Sequence, residues 1–197
     1  MEPKYAGGNL TKFPLTYSLD GKILFCCCST LVKLINVKTL EHVRVLKGHT
    51  ATVVGVCANP LNRLQVFSAS KDGTVRVWDV SDGTCLDVIE MGAPVEHFVV
   101  SGDTIIANVD PKPNKHYEDQ PRSCRIISYH LPSRTLTKLY KSKACRGIAV
   151  QGDIIASIGT NSLSIYRRSS KKLIRLTHSH SLTTIVFHPS DSYLATG

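Results

Sequence analysis

The chain has 197 residues, of which 42% are hydrophobic and 20% charged, and its formal net charge is +9. Such a length and composition suit one domain or two with a sizeable core. No stretch approaches the ~18 uninterrupted apolar residues of a membrane-crossing helix, and "MEPKYAGGNLTKF" lacks the basic start and apolar run of a secretory signal. An intracellular protein is expected, with no membrane partner.

The seven cysteines, Cys26, Cys27, Cys28, Cys57, Cys85, Cys124 and Cys145, are odd in number and lie mostly in apolar strand-like runs. They read as reduced core thiols rather than a disulfide framework.

Taken in chain order, the first alternating segment is "LVKLINV" (31 to 37), and it lies under "TVRVWDV" (74 to 80) at an offset of 43. Ile35 then falls beneath Trp78, and Asn36 beneath Asp79. "RIISYHL" (125 to 131) and "SLSIYRR" (162 to 168) repeat the alternation, with Tyr129 and Tyr166 where the tryptophan stands. "VCANP" and "VFHPS" place Pro60 and Pro189 at a separation of 129, three steps of 43. A fixed period of this size is the mark of a repeat architecture.

Within the second unit the strand candidates are 52 to 58, 64 to 69, 74 to 79 and 84 to 89, separated by "NPLNR", "KDG" and "SDG" turns. Four antiparallel strands in about 43 residues cannot cover both faces of their own sheet, so such units stack radially as blades.

With Gly48-His49, Asp72-Gly73 and Trp78-Asp79 in order and at this period, the sequence resembles the WD40 family. The resemblance implies an all-β β-propeller and a buried hydrogen-bond chain through His49, Ser68 or Ser70, Asp72 and Trp78. A buried carboxylate needs donors and an indole N–H needs an acceptor, so these groups satisfy one another where each would otherwise cost ~1–3 kcal/mol. The expected blades are approximately 10 to 47, 50 to 90, 93 to 141 and 144 to 177, with a fifth begun at 181 to 197. That is about four and a half blades, the N-terminal fragment of a longer protein. Units one, three and four lack the Gly-His pair and the tryptophan, whereas His178 aligns with His49 at the offset of 129 and is expected to take its structural part.

The stretch from "YAGGNLTKF" through "GTVRVWD", with its "NP.N.LQ..S.S.DGT...WD" pattern, is similar to a narrower family, the nucleolar WD-repeat proteins of the small-subunit processome. What this implies is a non-catalytic scaffold acting in the nucleus and nucleolus. It would support pre-ribosomal RNA processing and ribosomal RNA transcription beside other WD-repeat and helical subunits of a large ribonucleoprotein. The alternative is a WD40 adaptor or substrate receptor that binds peptides on a propeller face.

Charge points the same way. Between Arg134 and Arg175 stand ten basic residues against one acid, Asp153, which matches the whole excess of +9. The candidates for contact with RNA or an acidic partner are Lys138, Lys141, Lys143 and Arg146, then Arg167, Arg168, Lys171 and Lys172. Positive charge on turns facing a polyanion raises affinity and association rate. No aromatic residues interleave with them to stack bases, so a solvated surface is an equal alternative. The insertion "VDPKPNKHYEDQPR" (109 to 122) lengthens a turn of the third blade and reads as an extended, mobile loop.

Enzyme motifs are missing: there is no nucleophile elbow, Walker loop, Cys-x-x-Cys pair or His-Glu-x-x-His. "HSH" at 178 to 180 offers two imidazoles without further ligands at metal spacing, and Cys26 and Cys28 have the same limitation. The chain is expected to be non-catalytic, with no metal, no cofactor and no small-molecule substrate.

Overall fold

The structure is a computed structural model that describes residues 15–111, 123–188 and 194–197. Among these residues every regular element is a strand. They are β1 (Thr16–Tyr17), β2 (Ile23–Cys28), β3 (Leu31–Asn36) and β4 (His42–Lys47), then β5 (Val53–Ala58), β6 (Gln65–Ser70), β7 (Thr74–Asp79) and β8 (Cys85–Glu90). There follow β9 (Val95–Ser101), β10 (Thr104–Val109), β11 (Ser123–His130) and β12 (Thr135–Lys143), then β13 (Gly147–Gln151), β14 (Ile154–Ile158), β15 (Ser162–Arg167) and β16 (Lys172–Thr177). The last pair is β17 (Ile185–Phe187) and β18 (Leu194–Thr196). Each set of four is one antiparallel meander in sequence order, and β17 pairs with β18. The insertion at 109 to 122 falls largely outside the described residues; its first residue, Val109, closes β10.

The chain divides into two compact units, residues up to Glu90 and residues from Met91. In the first, alternation along the strands sends Phe25, Cys27, Val32, Leu34 and Leu46 of the first sheet against Val53, Val56, Val66 and Trp78 of the second. In the second, Ile106, Cys124 and Ile126 meet Cys145, Ile155 and Tyr166. The other face of that fourth sheet, Ala156, Ile158 and Leu163, covers Leu182 with Ile185, Phe187 and Leu194. Sheet four is therefore apolar on both faces, as a strand buried from two sides must be. Each fully buried aliphatic side chain here contributes roughly 1.5–3 kcal/mol.

All seven cysteines are free, and Cys26, Cys27, Cys28, Cys124 and Cys145 are buried. Burial pushes the Cys145 thiol up to about 12, the behaviour of an inert core thiol. No helix among the described residues is long and apolar enough to cross a membrane.

Candidate functional site

Two candidate regions come from the sequence, the hydrogen-bond chain of the second sheet and the basic turns of the second unit. The first is built by a loop and a hairpin. The segment between β4 and β5 brings His49 against the β6–β7 turn, where Gly73 takes a left-handed φ of 89° that only glycine adopts without strain. Gly48 has a different reason to be glycine: a Cβ there would stand 2.7 Å from Arg76 Nη1 and 3.1 Å from the Trp78 ring.

The proton order follows from the donors available. Trp78 Nε1–H donates to Ser68 Oγ at 2.7 Å, and Ser68 Oγ lies 2.8 Å from His49 Nε2. His49 Nδ1 lies 2.8 Å from Asp72 Oδ2. Since the indole can only donate, Ser68 accepts from Trp78 and passes its own proton to Nε2, which leaves the histidine proton on Nδ1 facing the carboxylate. Asp72 also accepts from Thr50 N at 3.0 Å, Thr74 N at 2.9 Å and Thr74 Oγ1 at 2.7 Å.

Burial lowers the His49 pKa against the pull of Asp72, so the imidazole stays neutral. Burial works to raise Asp72, yet the hydrogen bonds from Thr74, His49 and Thr50 together hold it below the usual carboxylate value. Arg76 lies over the indole, 5.9 Å from its centroid. Ser70, the other serine expected in this chain, stands apart: its hydroxyl donates to Ala51 O and accepts from Asp72 N.

The ladder registers place the corresponding positions in the other sheets. Trp78 pairs with Val66, Ile35 with Leu24, Tyr129 with Ile105 and Tyr166 with Ile155. Two residues beyond each partner stand Ser68, Cys26, Ala107 and Ser157, and all four are buried. Only sheets two and four thus keep the serine. In sheet four its partner comes from the preceding sheet, because Tyr140 of β12 donates to Ser157 Oγ at 3.0 Å and sets its ring 5.2 Å from Tyr166. Sequence reasoning missed Tyr140. His178, aligned with His49, is exposed, and its backbone N–H donates to Asn161 O.

The basic residues separate. Lys141, Lys143 and Arg146 lie where β12 passes into β13, whereas Arg167, Arg168, Lys171 and Lys172 lie at the β15–β16 turn. Arg146 and the β15–β16 turn stand at opposite ends of sheet four, one strand length or ~17 Å apart, whereas Lys141 and Lys143 belong to the outer strand of sheet three. Lys138 stands midway along β12 opposite Ile127. Arg168 is half-buried and donates to Gly152 O, and Asp153 accepts from both the backbone and the hydroxyl of Ser169. Arg146 reaches Ser181 Oγ at 3.2 Å, and Arg175 of β16 donates to Lys141 O at 2.9 Å.

Among the described residues no group of three or more histidine, cysteine or acidic side chains could hold a metal ion. One constellation of catalytic residue types does occur, Ser133 Oγ 2.7 Å from His130 Nδ1 and His130 Nε2 3.3 Å from Asp103 Oδ2. It is an exposed turn in which Ser133 also bonds Thr135 Oγ1, and its backbone N–H points to the same Nδ1. It closes the β11–β12 hairpin between Ser123–His130 and Thr135–Lys143.

Comparison with known proteins fits this arrangement. Residues 16–197 match the family described as the WD repeat-containing protein 75 first beta-propeller. WD repeat-containing protein 75 of Mus musculus is 26% identical over 216 residues, covering 97% of this chain and 25% of the relative. The Xenopus laevis protein of that name is 28% identical over 197 residues, covering 92% and 24%, and the Homo sapiens protein 26% over 215 residues, covering 97% and 25%. The chain spans about a quarter of the length of these curated relatives. With its four-stranded antiparallel sheets and the match over nearly its whole length, the chain belongs to the WD40 β-propeller family of the WD repeat-containing protein 75 first beta-propeller.

Proposed function

We propose that this chain serves in a non-catalytic scaffold of the nucleolus, one that assembles the small-subunit processome on nascent pre-ribosomal RNA and supports ribosomal RNA transcription. Its partners are other WD-repeat and helical subunits of a large ribonucleoprotein, with pre-ribosomal RNA in contact or close by. The observation that carries this reading is the family match across residues 16–197, which extends the resemblance of the first two blades to the full described chain. The surplus of exposed cations in the second unit supports it, since phosphate neutralisation by Lys and Arg is the sequence-independent part of nucleic-acid binding.

The experiment is capture of the intact protein from cells, followed by sequencing of the RNA and identification of the proteins retained. Enrichment of early pre-ribosomal RNA with WD-repeat subunits is the expected result; its absence, with other RNA classes or none in its place, overturns the reading. The adaptor alternative has one feature in its favour. A cleft of about 190 Å³ is lined by Ile154, Ile165 and Ile174 below Arg167, Ser170 and Lys172, a surface for an apolar residue flanked by acids. Capture of a defined set of such peptides without RNA would favour that alternative.

A further inference from the structure

We infer that phosphate contact is made by one basic cluster of the second unit only, Arg125, Lys141, Lys143 and Arg175 around β12, and not by the β15–β16 turn. This rests on the scaffold reading and assigns its RNA contact to particular side chains. In the antiparallel ladder Arg125 stands directly opposite Lys141, a like-charge pair that destabilises a sheet when nothing lies between. Lys143 is two residues along the same strand, ~6.8 Å on and on the same side. Arg175 reaches β12 from the other side, donating from sheet four to the Lys141 carbonyl, so that cations stand on both sides of this outer strand. None of these four cations forms an ion pair with another described residue.

The other cluster is built differently. Arg167 also faces a cation, Lys172, across its ladder. There, however, Asp153 lies close enough for Arg168 and Arg167 to help hold its carboxyl below the usual range, behind the hydrogen bonds from Ser169. Arg168 is half-buried and engaged with Gly152 O. The floor beside this turn is apolar, formed by Ile154, Ile165 and Ile174. An array of like-signed cations with no acid paired among the described residues matches a sugar-phosphate backbone, whereas a cleft with an apolar floor suits a peptide, whose affinity draws on buried apolar anchors.

The test uses the intact protein and a poly(U) oligonucleotide, with affinity measured across a salt series. The variant Lys141→Gln, Lys143→Gln, Arg175→Gln is compared with Arg167→Gln, Lys171→Gln, Lys172→Gln, which removes the same charge. With ~0.7 of salt slope per phosphate contact to a single strand, the first variant should flatten the slope by about 2 and the second should leave it near wild type. An unchanged thermal midpoint for both shows that folding is not the cause. A loss of slope in the second variant equal to or larger than in the first overturns the assignment. So does binding of poly-glutamate, but not poly(U), through the first cluster. Wild-type protein with no salt-dependent binding of poly(U) overturns it as well, yet leaves the scaffold reading to the capture experiment.

Discussion

Blades two and four keep a buried serine at the same ladder position, and they satisfy it in opposite ways. In blade two, Ser68 is held by Trp78 of its own sheet and by His49 of the loop that leads into it. In blade four, Ser157 stands beside Tyr166, whose ring has no N–H to offer, and the missing donor arrives from Tyr140 of the preceding sheet. A buried hydroxyl needs a partner wherever that partner comes from. The source decides the mechanical result: the first chain staples a sheet to its own turn, and the second staples two neighbouring sheets together.

The largest effect that would break the comparison is expected at Asp72. Asp72→Ala removes the acceptor of His49 Nδ1–H, Thr50 N–H and both donors of Thr74, so several buried donors lose their partner at once. A loss of about 3 kcal/mol is expected in denaturant unfolding of the first unit; a loss under ~0.5 kcal/mol would show that the chain is ornamental.

A smaller effect is expected in blade four. Tyr140→Phe leaves Ser157 without its donor and should cost about 1 kcal/mol, and Ser157→Ala a similar amount. The double variant should cost clearly less than the two added together, because one bond is lost and neither group is orphaned. Strict additivity would deny the staple between sheets.

Proton uptake separates the two blades further. The His49 pKa is lowered from its ordinary 6.5 in the folded protein, chiefly by burial. Below that value the unfolded chain binds a proton that the folded chain refuses. The stabilisation is therefore complete above about pH 6.5 and is lost as pH falls toward the folded value. Asp72, also lowered from 3.8, adds a loss with the same sign at still lower pH. Blade four has no counterpart, since burial, outweighing the bond to Ser157, moves the Tyr140 phenol up and away from this range. The unfolding midpoint of the first unit should thus fall between neutral and mildly acidic pH, and His49→Gln should remove most of that slope. A midpoint that rises on acidification contradicts a neutral His49.

Much of the fold was legible in the sequence. The second sheet was expected at 52 to 58, 64 to 69, 74 to 79 and 84 to 89 and occurs at Val53–Ala58, Gln65–Ser70, Thr74–Asp79 and Cys85–Glu90. Alternation with period two and the Asp-Gly turn leave little freedom there. The site was less legible, for identifiable reasons. Ser68 and Ser70 share a face because they are two residues apart, and only the Val66–Trp78 register separates them. Tyr140 was invisible because its partner lies on another sheet.

The basic stretch shows the same limit. It is continuous in sequence, but each antiparallel reversal carries the chain to the other end of the sheet, so one charged run becomes two separate clusters. His178 kept the offset of His49 and none of its burial: the chain beside it forms the short β17–β18 pair, and no carboxylate turn like that of Asp72 closes over its ring among the described residues.

The scaffold reading meets its most direct test in cells depleted of the protein, with early pre-ribosomal RNA cleavages followed by pulse labelling. Uncleaved precursor should accumulate and small-subunit ribosomal RNA should fall, both restored by the wild-type protein. Normal early cleavage after depletion would contradict a scaffold role.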